Sequence, residues 1–242
     1  MPPFMSSPLL QPRWLLGHVL VVIATVGFTL LGFWQLDRHF QQREDNALIE
    51  TRLAAPPIDL TTAPEPWTDL ALRRVTVVGH YDYAAQLELR PRARNGRVGY
   101  DQVIPLVTST GVVLVDRGFI ADADGSARLT PQRPDAITVE GTVRPSQGTS
   151  SLGPQNPATG TLETIARIDL DRLNPQFRNG LAPVYLDLIS ETPEAGGLPT
   201  VIPALPEPTR RPNLLYAIQW WAFAGVATIG WAAYLRKQFF AT

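Results

Sequence analysis

Two long apolar blocks, one near each end of the chain, constrain this sequence more than any other feature. Residues 14–34 carry no charged side chain and only His18, Thr25 and Thr29 as polar members. Residues 213–234 are uncharged too, with Gln219 and Thr228 inside the block. At 1.5 Å per residue, either block reaches about 30 Å, the thickness of a bilayer hydrocarbon core. Trp14, Trp34, Tyr216, Trp220, Trp231 and Tyr234 sit near the block ends, where amphipathic rings prefer the headgroup level. A soluble core helix of this length would show a polar stripe. The pattern therefore predicts two membrane helices, at 14–35 and 213–235.

Arg13 ahead of the first block raises the alternative of a cleaved signal peptide. Signal peptides have shorter apolar regions and a small-residue cleavage site, whereas here Gly32-Phe33-Trp34-Gln35-Leu36-Asp37-Arg38 follows. An uncleaved anchor is expected. Two spans put both termini on one side, as cytoplasmic tails at 1–13 and 236–242, and residues 36–212 on the other. Charge does not orient the pair, because Arg13, Arg236 and Lys237 flank the termini while Arg38, Arg43, Arg210 and Arg211 flank the loop.

Cysteine is absent and methionine occurs only at Met1 and Met5. That excludes a disulfide framework, a thiolate metal site and a copper chaperone built on soft sulfur ligands. A net charge of −1 gives no basic footprint for nucleic acid.

Between the blocks, residues 35–52 are polar with good helix formers, and Pro56-Pro57 and Pro64-Glu65-Pro66 break the run. The first helix is expected to continue past the membrane and stop near Leu53. From Leu72 the pattern alternates and becomes β-branched. Strands are predicted at 73–81, 86–90, 98–108, 111–119 and 137–144, with Thr108-Ser109-Thr110-Gly111 as a hairpin turn. Residues 145–160 have no period and are expected as a loop. Residues 165–173 begin as a strand and become a short helix at Asp169, 183–188 is the last strand, and the proline-rich 196–212 is a linker back to the membrane. The fold class expected is two transmembrane α-helices flanking one extracytoplasmic antiparallel β-rich domain, either a small barrel or a sandwich.

Catalytic constellations are missing. His18, His39 and His80 show no H-x-x-x-H pairing, and neither a phosphate loop nor a nucleophile elbow is present. Asp116-Arg117-Gly118 is expected as an ion pair closing a strand end. On the second span Asn213, Tyr216, Trp220, Ala224 and Ala227 share one helical face. That face suits either a helix seam, because small residues let a partner approach closely, or a groove for a planar apolar cofactor. On the first helix Gln35, Arg38, His39 and Gln42 share a face near the outer interface, at the expected depth of Asn213 and Tyr216.

Several segments, in order, resemble one family. Gly32-Phe33-Trp34-Gln35-Leu36-Asp37-Arg38 followed by Ala47-Leu48-Ile49 resembles the G-x-W-Q-L-x-R…L-I signature of the surfeit locus family of cytochrome c oxidase assembly factors. Gly99-Tyr100 and Pro105, then Val113-Leu114-Val115-Asp116-Arg117-Gly118-Phe119, look like its G-Y…P-L…V-L-V-x-R-G-W core. Ile137-Thr138-Val139-Glu140-Gly141 is similar to its v-x-G strand, and Asn213-Leu214-Leu215-Tyr216-Ala217-Ile218-Gln219-Trp220 to its H-L-x-Y-A-x-Q-W second helix.

The resemblance implies a non-enzymatic, multi-pass plasma-membrane protein with its domain outside. Its partners would be cytochrome c oxidase subunits, chiefly the catalytic subunit, and membrane lipid. Its role would lie in supplying or holding haem a during assembly. It marks Trp34, Gln35, Arg117 and Gly118 as signature positions, and Tyr216, Gln219 and Trp220 as neighbours of a haem-handling site. Two positions depart from the pattern. Phe119 stands where the family usually has Trp, and Asn213 stands where the family has the histidine favoured as haem ligand. An amide is a poor iron ligand beside imidazole. Two expectations follow: a haem a handling factor that uses His39, beside Arg38, as substitute ligand, or an accessory subunit of the oxidase or a respiratory supercomplex that binds no haem.

Overall fold

The computed structural model describes residues 11–124, 136–148, 153–193 and 208–240. Helix α1 (Pro12–Ala54) opens with proline at its first position, where the missing N–H is no loss. It runs unbroken through the polar stretch after the apolar block and ends just before Pro56-Pro57, close to the expected stop. Helix α3 (Asn213–Phe240) is the second apolar block. Both α1 and α3 are long and apolar enough to cross a membrane. The linker expected at 196–212 lies largely outside the described residues. The chain divides into two compact units, one of Met1–Leu48 with Pro208–Thr242 and one of Ile49–Glu207.

The second unit is built on one eight-stranded sheet. A short β1 (Ile58–Asp59) lies in the stretch expected only to break the helix, followed by β2 (Arg74–Tyr81), β3 (Leu87–Arg94), β4 (Arg97–Thr108), β5 (Val112–Ala121) and β6 (Ile137–Pro145). Then come β7 (Thr164–Ile165), α2 (Leu170–Leu173) and β8 (Leu181–Thr192). Every predicted strand is present, and β8 is longer than expected. Asn95-Gly96, both at positive φ (51° and 76°), turns β3 into β4, the dipeptide that suits a tight hairpin. The side chain of Asp169 accepts from the N–H of Arg172 and caps α2.

The expectation of a purely antiparallel sheet is corrected. β5 pairs with β8 in parallel, as do β1 with β2 and β3 with β7, so the sheet is mixed. The physical reason is chain length: a parallel partner needs a long crossover, and β6, the following loop and α2 supply one between β5 and β8. Pairings run β2–β6–β8–β5–β4, and β4 pairs again with β2 through Gly79–Thr108 to Tyr81–Leu106.

Both faces of the central strands are covered. Val113 and Val115 join Val75, Ile104, Leu106 and Leu186 in one apolar cluster. Leu114 and Val103 face the other way, into a cluster closed by Leu162, Ile165, Ile168 and Leu173 from the β7–α2 segment. All ten residues of β5 are buried, which explains why its sequence is apolar on both sides of Asp116-Arg117 and does not alternate.

Candidate functional site

In the first unit, α1 and α3 run antiparallel and meet along a seam with mostly polar or small members. His18, Thr25, Gly32, His39 and Asn46 stand seven residues apart on α1, the spacing that keeps a series on one side of a supercoiled helix. Trp231 Nε1 donates to His18 Nδ1 at 2.9 Å, which leaves the imidazole proton on Nε2. The hydroxyls of Thr25 and Thr228 lie 3.0 Å apart. Gly32 is buried under the indole of Trp221, whose Nε1 lies 2.2 Å from where a Cβ would stand. Asn46 donates to the carbonyl of Thr209 at 2.9 Å and accepts from its N–H at 2.8 Å. Gln42 donates to the same carbonyl, and its Oε1 accepts from Asn213 Nδ2 at 2.9 Å.

On α3 the seam follows Asn213, Ala217, Trp221, Ala224, Thr228 and Trp231, with Ala217 and Ala224 buried. The face expected from sequence ran through Tyr216 and Ala227 instead. The step from Asn213 that stays against α1 is four residues, not three, so Tyr216 turns away and is 47% exposed. Trp220 lies on the flank, stacked on Phe28 at 5.6 Å. Gln219 is exposed on the far side.

On α1, Arg38 is exposed and donates to Gln41, which donates to Asp37. Trp34 is exposed and Gln35 half-buried. His39 is half-buried, and its ring meets Phe40 at 5.8 Å rather than Tyr216 or Trp220. The structure thus joins Asn213 to the first helix through Gln42, and leaves Tyr216 and Gln219 on a face of α3 away from that tie and without a contact to His39. Among the donors named at this end, the His39 imidazole and the Tyr216 phenol are of the types that ligate haem iron, and the amides of Gln42, Asn213 and Gln219 are not.

In the second unit the Asp116-Arg117-Gly118 segment is not the expected ion pair at a strand end. It is a β-bulge: Val103 pairs with Asp116 and Gln102 with Gly118, leaving Arg117 as the extra residue, and Gly118 takes φ 117°. Asp116 Oδ1 accepts from the Gly118 N–H at 2.9 Å. Arg117 stands two residues after Val115, on the side of the interior cluster. There it donates to Glu191 at 2.6 Å and to Gln102 at 3.3 Å, and lies over the Tyr81 ring at 5.5 Å. Tyr81 donates to Glu191 at 3.0 Å. Burial, then the Glu191 carboxylate, push the Tyr81 phenol well above its ordinary value, so it remains a donor. Sequence patterning missed Tyr81 and Gln102, whose only signal was polarity at positions predicted as strand, and Glu191, which lies past the predicted end of the last strand at 188 but inside β8.

Asp116 points to the opposite face, directly across from Asp187 of β8. Burial, then Asp101 and Asp187, raise Asp116 to about 8, although the Gly118 N–H pulls the other way. Burial likewise raises Asp187 to about 6 against the pull of Arg144. Asp101 itself is held by Arg92 at 2.9 Å and Arg94 at 3.2 Å. A carboxyl whose folded value is raised binds its proton more tightly when folded. Its favourable contribution is complete below about pH 4 and is lost as pH rises through about 8. Asp116→Asn keeps an acceptor for Gly118. It is expected to gain on the wild type progressively from pH 5 to pH 9 in chemical unfolding of the full chain, and a pH-independent difference would refute the assignment.

A cavity of about 320 Å³ beside Trp67, Gly111 and Leu181 is lined by none of the sequence-predicted site residues.

The sequence matches the model of the SURF1 family over residues 22–225. It is 28% identical over 236 residues to a SURF1-like protein of Monosiga brevicollis, covering 90% of this chain and 85% of that one. A SURF1-like protein of Rickettsia bellii is 26% identical, with 90% of both chains covered. The cytochrome oxidase assembly protein SHY1 of Saccharomyces cerevisiae is 33% identical over 96 residues, 38% of this chain and 25% of that protein. The match takes in most of α1, the bulged Arg117-Gly118 strand and the first half of α3, so the chain belongs to the SURF1 family.

Proposed function

We propose that the protein is a non-enzymatic assembly factor for an aa3-type cytochrome c oxidase. In this reading α1 and α3 cross the plasma membrane, the β-rich unit lies on the extracytoplasmic side, and the catalytic subunit is the partner. Family membership carries the reading, together with the name of the yeast relative. The outward faces of both helices support the membrane placement: Leu16, Ile23, Leu30, Leu215, Val226 and Ile229 are each more than 60% exposed, a surface suited to lipid. Deleting the gene should reduce assembled oxidase in membranes, read as the haem a absorbance and cytochrome c oxidation per unit of membrane protein. Unchanged oxidase would refute the reading.

Haem a, as cargo, falls to His39 in this proposal. Asn213 is committed to Gln42, whereas His39 makes no hydrogen bond among the described residues. The haem would bring the iron that the catalytic subunit needs, and the chain's own part is one axial nitrogen. Protein co-expressed with haem a synthesis should carry a Soret band that His39→Ala weakens several-fold. A wild type without the band refutes haem handling alone.

The Gln42–Asn213 tie favours a second reading, an accessory subunit that holds the oxidase without haem. Near-stoichiometric retention by the oxidase in mild detergent is its expected sign, and clean separation at low detergent counts against it.

A further inference from the structure

Three guanidiniums beside the helix pair lack a counter-charge. In the second unit every arginine within a strand holds a carboxylate, as Arg74 holds Glu140 and Arg97 holds Asp124. Arg43, Arg210 and Arg211 are exposed and make no ion pair or hydrogen bond among the described residues. The acidic residues of α1 do not answer them. By spacing, Asp37 and Glu44 stand on the face of α1 opposite the seam, and Asp37 holds Gln41.

The three are held in one layer. Gln42 and Asn46 bind the backbone of Thr209, and Gln42 also accepts from Asn213. Arg210 and Arg211 are thereby pinned beside the turn of α1 that carries Arg43. Asn213 stands one turn, about 5 Å, outward of Tyr216, a ring of the headgroup-level belt. Just inward of the arginines, Phe40, Leu214 and Leu215 are 52%, 42% and 69% exposed. Cations thus stand directly over an apolar surface. The bias that gathers arginine on the cytoplasmic side of a membrane gives no reason for them here.

We propose, resting on the membrane placement above, that Arg43, Arg210 and Arg211 bind the phosphate of an anionic phospholipid in the outer leaflet, whose acyl chains lie against Phe40, Leu214 and Leu215. Guanidiniums bind phosphate oxygens in pairs, and their stems snorkel to the headgroups. A zwitterionic lipid brings its own cation and leaves the arginines uncompensated. The acidic face of a soluble protein would meet the cations but not the apolar residues inward of them. An anionic phospholipid answers both.

The test reconstitutes the full chain in bilayer discs of equimolar phosphatidylglycerol and phosphatidylcholine, takes it into mild detergent, and measures the retained lipid by mass spectrometry. The wild type should prefer phosphatidylglycerol about tenfold or more. Arg43→Gln, Arg210→Gln or Arg211→Gln should lower that preference up to about fivefold, the scale of one interfacial arginine. The three together should bring the ratio to about one. Arg13→Gln with Arg236→Gln and Lys237→Gln, at the other ends of the helices, should leave the preference standing. Equal retention of the two lipids by the wild type, an unchanged ratio in the Arg43, Arg210 and Arg211 variant, or an equal loss in the Arg13, Arg236 and Lys237 variant overturns the lipid surface. Displacement of the lipid by inorganic phosphate assigns the arginines to the free anion and overturns it too. A chain that stays with membranes in alkaline carbonate keeps the membrane placement whichever lipid it retains, whereas release by carbonate refutes the placement itself.

Discussion

Arg117→Met is expected to destabilise the β-rich unit by about 3–5 kcal/mol, because it leaves a carboxylate buried without its counter-charge. The side chains of Arg117 and Glu191 are only 4% and 8% exposed, and the guanidinium reaches both carboxylate oxygens, at 2.6 and 3.3 Å. Arg117→Lys keeps the charge but loses the two-pronged geometry and the planar contact with Tyr81, so about half that loss is expected. The double variant Arg117→Met with Glu191→Leu should recover most of the stability, since neither charge is then stranded. Chemical unfolding of the full chain in detergent measures all three. A double variant no better than Arg117→Met would show that the pair does not explain the cost.

The next largest effect is expected at Gly99, where β4 passes β5. A Cβ there would lie 2.0 Å from the carbonyl oxygen of Ile120 and 2.8 Å from the Cα of Ala121. Both are backbone atoms of the paired strand, so no side chain can move aside. Gly99→Ala should therefore separate two buried strands and cost about 3 kcal/mol, the upper range for overpacking. Gly96→Ala makes the control. It has open space around it but sits at φ 76°, so only backbone strain is paid, about 1 kcal/mol. Equal midpoints for the two variants in the same unfolding experiment would refute the close approach.

Much of the fold was legible because it is written in local pattern. The uncharged blocks of residues, the β-branched alternation of 73–81, the turn at Thr108-Ser109-Thr110-Gly111 and the capping aspartate at 169 each act within a few residues of themselves. What was not legible depended on partners far along the chain. Nothing near β5 indicates that its neighbour in parallel is β8, some 70 residues on. The Asp116-Arg117 pair looked like a local ion pair because the partners that hold Arg117, Glu191 and Gln102, lie on other strands far along the chain.

The candidate site divides in the same way. Asn213 was marked by sequence as the position that departs from the family histidine, and the structure gave it a role as the amide that ties α3 to Gln42. Tyr216 was placed on the working face by a three-residue step, whereas the seam follows the four-residue step to Ala217.

The sequence by itself determined two uncharged apolar helices, a strand-rich centre and the family, because hydrophobic length, residue period and motif order are properties of a linear string. Only the tertiary structure decided which face of each helix is shared, which strands run parallel, and which polar groups are satisfied. Hydrogen bonds and ion pairs are made between residues distant in sequence, and their partners are fixed only when the chain closes on itself.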